Sequence, residues 1–306
     1  MSLLTYCKNN DSVGAMTVLQ NQAMCKMDRI DEAGNTALIW TCRNKMEKVA
    51  LELLNRYPEM CKIDHVDEDG NTALILACCN KMDKVALEIL DKYPEYPEMC
   101  KMDQVNKYGN TALILACDNK MEKVALELLD KYSKYSKHPE MCKLGQVNRY
   151  GNMALIIACC HNMNDVALKL LEYPKMCKID QPNTHGSTAL IWACRNKMEK
   201  VALELLKYPE MCKIDQVNKD GDTALIWAFI NNTYDIAIEI LKHVDINISD
   251  VPSKFLGYIF NRMHQDRETL KKTTEENKVL KNNLEMLSDK VVVRKKNENG
   301  FVTTYY

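Results

Sequence analysis

The sequence predicts an all-α solenoid of stacked helix–turn–helix units, followed by a C-terminal helix with coiled-coil heptads. Three observations carry this. One segment recurs six times, opening at Gly34, Gly70, Gly109, Gly151, Gly186 and Gly221, with steps of 36, 39, 42, 35 and 35 residues. Gly and Pro are scarce, ten and eight in 306 residues, while helical patterns are abundant. Past residue 256 the repeat gives way to a spacing of seven.

Each unit reads roughly D/N-x-x-G-N-T-A-L-I-x-A-C-x-N-K-M-E-K-V-A-L-E-L-L, then a Tyr-Pro-rich turn and M-C-K-I-D-Q-V. A Thr N-cap (Thr36, Thr72, Thr111, Thr188, Thr223) opens a short, almost wholly apolar first helix. The second helix is amphipathic: Met46, Val49, Ala50, Leu53 and Leu54 share one face, with Glu47, Lys48 and Glu52 elsewhere. Asn44-Lys45 joins the two, with Asn expected to take the left-handed conformation. The opening Gly marks a turn.

The segments NTALIWTC, NTALILAC (twice), NMALIIAC, STALIWAC and DTALIWAF, with VALELL at 49–54 and 201–206, resemble the ankyrin repeat over roughly residues 1–247. The NKM joint and the YPEMCK segment resemble the divergent ankyrin arrays of giant DNA viruses. The resemblance implies six repeats over 31–247 and a truncated N-terminal capping unit over 1–30. Two departures matter. Ile stands where the family has His (Ile39, Ile75, Ile114, Ile156, Ile191, Ile226), so the polar links that His makes between units are expected to be absent. Met153 replaces the Thr cap of the fourth unit, which is expected to be looser by about 1 kcal/mol.

The repeat period also explains Met-Cys-Lys. Cys25, Cys61, Cys100, Cys142, Cys177 and Cys212 hold one repeat position, and Cys7, Cys42, Cys78, Cys117, Cys159 and Cys194 another. Equivalent residues one unit apart are too distant to share a zinc with bonds of about 2.3 Å, and no C-x-x-C exists. Core packing is the reading, with no metal. Cys79 and Cys160 fall one residue later and are expected to face outward. The insertions YPEYPE and KYSKYSKHPE lengthen the turn after the second helix. They read as tolerated loop growth, or as a contact edge made by Tyr93, Tyr96, Tyr132 and Tyr135.

Residues 248–293 form a different element. Leu270, Asn277, Leu280, Leu284, Leu287 and Val291 take core heptad positions, and a core Asn suits a parallel pair. That predicts a homodimer through 270–291, or a helix docked on the last repeat to cover Trp227, Phe229 and Ile236. Residues 294–306 read as a flexible or weakly β tail.

Composition bounds the function. With 46% apolar and 27% charged residues and a net charge of −1, binding of nucleic acid through bulk charge is excluded. No run approaches the roughly 18 apolar residues of a spanning helix, and no basic region with an apolar run opens the chain, so a cytoplasmic, non-secreted protein is expected. Fourteen cysteines then read as reduced thiols. Six scattered His, no glycine-rich phosphate loop and no H-E-x-x-H predict no enzyme and no cofactor. Trp40, Trp192 and Trp227 share a position filled elsewhere by Leu76, Leu115 and Ile157, which reads as core.

The resemblance implies protein recognition through a concave face of turn tips and first helices. The candidate partner-binding residues are Lys107, Tyr108, Asp118, Arg149, Tyr150, His161, Thr184, His185, Arg195, Lys219 and Asp220, with Tyr108, Arg149, Tyr150 and Arg195 foremost. The partner is an unidentified protein, of a host cell if the chain is viral. Two alternatives stand beside this: an adaptor to a ubiquitin ligase through residues 251–260, or a structural component of a viral particle.

Overall fold

The computed structural model describes residues 1–21, 29–92, 101–134, 143–244, 293–296 and 302–305. The heptad residues 270–291, the segment 251–260, Cys25, Cys100, Cys142, Tyr93, Tyr96 and Tyr135 lie outside them.

Seven helix pairs stack in sequence among the described residues. They are α1 (Leu3–Lys8) with α2 (Ser12–Gln20), α3 (Ala37–Arg43) with α4 (Glu47–Arg56), and α5 (Ala73–Cys79) with α6 (Asp83–Lys92). Next come α7 (Ala112–Asp118) with α8 (Glu122–Lys134), α9 (Ala154–Cys160) with α10 (Asn164–Leu171), α11 (Ala189–Arg195) with α12 (Glu199–Leu206), and α13 (Ala224–Ile230) with α14 (Tyr234–Leu241). Odd helices pack on odd helices along one row, and even on even along the other. Residues 1–20 thus form both helices of a unit and lack only its opening turn. Away from this array, β1 (Val293–Lys296) pairs antiparallel with β2 (Val302–Tyr305), where the sequence suggests a flexible or weakly β tail.

The short first helices exist because both ends are held. Thr36, Thr72, Thr111, Thr188 and Thr223 each accept from the backbone N–H three residues on. Met153 makes no such bond, yet α9 has the same seven residues. Met153 is itself buried, so apolar contact holds that end. The second helices of the repeats start without a side-chain hydrogen bond at Met46, Met163 and Met198; these Met side chains, with Met82 and Met121, plug the core instead. Each contributes roughly 2 kcal/mol by burial.

The left-handed residue of the joint is not the Asn. Asn44 has φ −93°, and the positive φ falls on the next residue: Lys45, Lys81, Lys120, Asn162, Lys197 and Asn232. The Asn side chain has a different task. Asn44 Nδ2 donates to the Cys7 carbonyl at 2.7 Å, Asn80 to Cys42 at 2.9 Å, Asn119 to Cys78 at 2.9 Å, Asn196 to Cys159 at 2.8 Å and Asn231 to Cys194 at 2.8 Å. Each caps the C-terminal end of the preceding unit's first helix. Polar links between units are therefore present after all. Ile39, Ile75, Ile114, Ile156 and Ile191 are buried as apolar contacts, and the linking role has moved to the joint. His161 replaces Asn in the fourth unit, and that rung of the ladder is missing among the described residues.

Three copies of Met-Cys-Lys make a second left-handed turn: φ is positive at Lys62, Lys178 and Lys213 while Cys61, Cys177 and Cys212 are buried. Burial pushes the Cys61 and Cys177 thiols up to about 12, which keeps them protonated. Cys79 is exposed and Cys160 half-buried.

One further expectation is corrected. Tyr132 is buried, with its hydroxyl donating to the Met102 carbonyl at 3.3 Å, so it forms no outer contact edge. Ile236 is buried and Trp227 and Phe229 are partly buried; the helix expected to cover them falls outside the described residues. The tryptophan position packs on the core throughout: Leu76, Leu115 and Ile157 are buried in it, and Trp40, Trp192 and Trp227 are partly buried against it.

Candidate functional site

The opening turns lie side by side, and a backbone chain ties their tips. Glu68 N–H donates to the Ala33 carbonyl, Lys107 to Asp69, Arg149 to Tyr108, Thr184 to Tyr150 and Lys219 to His185, at 2.9–3.1 Å. The Gly of each turn makes this approach possible. A Cβ on Gly109, at φ +78°, would lie 2.8 Å from the Val147 carbonyl oxygen of the next unit. Rigid backbone thus sets the spacing of the side chains at the tips.

Three side-chain groups line the face of tips and first helices. At the N-terminal end an open groove of ≈ 660 Å³ is lined by Asp31, Glu32, Asp67, Glu68 and Asp69, with Lys8, Arg43 and Trp40. Arg43 Nε is buried without an acceptor among the described residues, but the outer edge of its guanidinium and the neighbouring carboxylates are paired. Arg43 Nη2 lies 2.7 Å from Asp67 Oδ2, and the Trp40 indole donates to Asp31 Oδ2 at 2.8 Å. Burial opposes ionisation of Asp31, but bonds from the Asn35 backbone and the Trp40 indole outweigh it and hold the carboxyl below the usual aspartate value.

In the centre, Arg149 lies between two tyrosines, 5.1 Å from the Tyr108 ring and 4.7 Å from the Tyr150 ring, and donates to the Tyr150 hydroxyl at 2.6 Å. Tyr108 is 43% and Tyr150 53% exposed, which leaves ring surface for a partner. Lys107 covers the other neighbour, Tyr108, and pairs with Asp69 at 2.7 Å, whose carboxylate raises the ammonium above the usual lysine range. At the C-terminal end Arg195 is sandwiched between Trp192 at 4.9 Å and Trp227 at 4.8 Å. Neither indole N–H meets an acceptor among the described residues.

The remaining residues singled out from the sequence are dispersed along the same face. Thr184 Oγ1 donates to the Tyr150 carbonyl at 2.9 Å, His185 approaches Asp220 at 3.2 Å, and Lys219 is exposed beside them. Asp118 and half-buried His161 face each other at 3.8 Å where the Asn ladder is broken. The sequence reading missed Arg43 and the acidic tips, and gave Trp40, Trp192 and Trp227 a core role alone, whereas these rings also flank Arg43 and Arg195. The signal was present: Trp-x-x-Arg at 40–43 and 192–195 puts both on one helical face. Among the described residues no cluster of His, Cys, Asp and Glu could hold a metal ion, and no helix is long and apolar enough to cross a membrane.

Comparison with known proteins gives one family. A model of ankyrin repeats (3 copies) matches residues 3–100, 59–139, 98–183, 133–216 and 155–250. No curated protein sequence matches. Similar solved structures include the ankyrin repeat domain of Bcl-3, a member of the IkappaB family, at 18% identity and TM-score 0.48, covering 79% of this chain and 98% of that one. A chain from the complex of the predatory endopeptidase Bd0816 of Bdellovibrio bacteriovorus with immunity protein Bd3460 aligns at 22% identity and TM-score 0.47, over 71% and 100%. The ankyrin repeat protein EF0377 aligns at 24% and 0.47, over 70% and 100%.

Proposed function

The chain belongs to the ankyrin-repeat family, whose members are protein-interaction modules, and we propose that it is a non-enzymatic scaffold gripping a partner protein across its turn tips and first helices. The observation that carries this is the Arg149 stack: one guanidinium held between two exposed tyrosines on adjacent, backbone-linked tips. Tyr and Arg dominate binding energy at interfaces, and side chains already ordered lose little entropy on association. The partner is a protein of the cell in which the chain acts, a host cell if the chain is viral. In the same reading residues 270–291 pair two copies, doubling the number of grips for one assembly.

A photo-crosslinking residue at position 150 of the full chain tests the face. A single partner band from cell lysate is expected, lost with Tyr108→Ala and absent when the crosslinker sits at Lys123 on α8. Equal labelling from both positions sinks the reading. For pairing, sedimentation equilibrium of the full chain should give twice the chain mass, falling to one chain with Leu280→Asp; a monomer throughout rejects the dimer.

A further inference from the structure

We propose that the partner presents acidic side chains, and that Arg149 and Arg195 are the two receptors for its carboxylates; this rests on the recognition reading above. The arginines of the face are of two kinds. Arg43 lies over Trp40 and has its carboxylate supplied from within, from Asp67 of the next unit at 2.7 Å. Arg195 holds the same repeat position four units on and is stacked even more closely, between two indoles. No described residue gives it a carboxylate, because the residue at Asp67's position in the following unit is Asn218. The Asn218 oxygen is already occupied by the N–H groups of Asp220 and Asp222, and its amide donates to Ser187. Arg149 is also without a carboxylate among the described residues; its one partner is the Tyr150 hydroxyl.

A guanidinium flattened between rings has its donor plane fixed and its edge open, the geometry that takes a carboxylate bidentately. Lys107 offers no such vacancy, being paired with Asp69. Charge sets the placement along the face. Glu32, Glu68 and Asp69 on the first two tips repel an acidic segment, which therefore lies from the third unit toward the sixth. Arg149 sits between the third and fourth units and Arg195 between the fifth and sixth, two steps of about 8–10 Å, so they match acids roughly five to six residues apart in extended chain.

A random peptide library displayed against the full chain tests this. Selected peptides should be enriched in paired Asp and Glu. Arg149→Gln and Arg195→Gln should each weaken a selected peptide by at least about tenfold, as should replacing its acids with Asn and Gln. Asn218→Asp, which supplies an internal carboxylate, should weaken it too, and Lys123→Gln should not. Peptides without acid enrichment that ignore both arginine substitutions but are lost with Tyr108→Ala would overturn this proposal and leave the recognition reading intact. Peptides indifferent to all four substitutions on the face overturn both. Displacement by millimolar inorganic phosphate of a peptide that depends on neither carboxylate would assign the arginines to a phosphate-bearing ligand instead and reject the acidic segment.

Discussion

The two ends of the face of turn tips and first helices carry the same Trp-x-x-Arg pair in opposite states. In the first unit the Trp40 indole has Asp31 and the Arg43 guanidinium has Asp67. In the fifth unit the corresponding turn residues are Asn183 and Asn218, and among the described residues Trp192 and Arg195 have no carboxylate. The turn itself needs only one oxygen at this position. Asp67 Oδ1 accepts from the N–H groups of residues 69 and 71, and Asn183 Oδ1 accepts equally from residues 185 and 187. What Asp adds is a second oxygen, and that oxygen decides whether the stack is closed internally or left open. Asn instead donates to the preceding unit: Asn106 to Asn71 at 3.0 Å, Asn183 to Asn152 at 2.9 Å. One atom thus exchanges an internal ion pair for an inter-unit hydrogen bond.

Removing the second oxygen where it is used should have the largest effect. Asp67 is almost wholly buried, and Asp67→Ala strands Arg43 and two turn N–H groups. Breaking such a pair costs about 3 kcal/mol, the low end of the usual range because Arg43 keeps a third of its side chain in water. Urea unfolding should show that loss, whereas Asn218→Ala, which strands no charge, should cost about 1–2 kcal/mol. Equal losses would show that the acidic turn is not the anchor of the N-terminal end.

A second contrast lies in the joints. Asn119→Ala removes a rung of the carbonyl ladder and should cost about 1 kcal/mol, while His161→Asn restores the missing rung and should gain a similar amount. If thermal melts put both within error of the parent chain, water satisfies those carbonyls as well as Asn does. Conversion of the open stack is a gentler change. Asn218→Asp should stabilise by less than about 1 kcal/mol, as the Arg195 edge is exposed, while lowering affinity for an acidic peptide. A stability gain with unchanged peptide binding would separate the stack from recognition.

Much of this architecture was legible in the sequence and some of it was not, for physical reasons. The helix pairs, Thr caps and glycine turns follow from local propensity and periodicity, so reading one unit reads six. Asn44 was misassigned because both residues of the joint are polar, and local pattern cannot say which one turns left-handed and which one reaches a carbonyl 37 residues away. The tryptophans do pack against the core as their period implies, but the pattern does not show that each ring keeps a face for an arginine. The candidate residues at the tips, Tyr108, Arg149 and Tyr150, do stand exposed, since turn geometry is local. That Arg149 joins the two rings into one stack depends on a neighbour one full repeat away.

Acid should separate the two ends most subtly. The Asp31 carboxyl is held below the usual aspartate value, so its contribution to stability is complete above about pH 4 and is lost as pH falls through the lowered value. Asn183 and Asn218 carry no proton to gain. The indole N–H resonance of Trp40 should therefore titrate with a midpoint below the ordinary aspartate value, while those of Trp192 and Trp227 stay flat over the same range. Asn183→Asp should bring a matching titration to Trp192, because it restores the second oxygen beside that indole. Three indole signals moving together in the parent chain would mean that the array responds to acid as one unit, and that the closed and open stacks are not independent local structures.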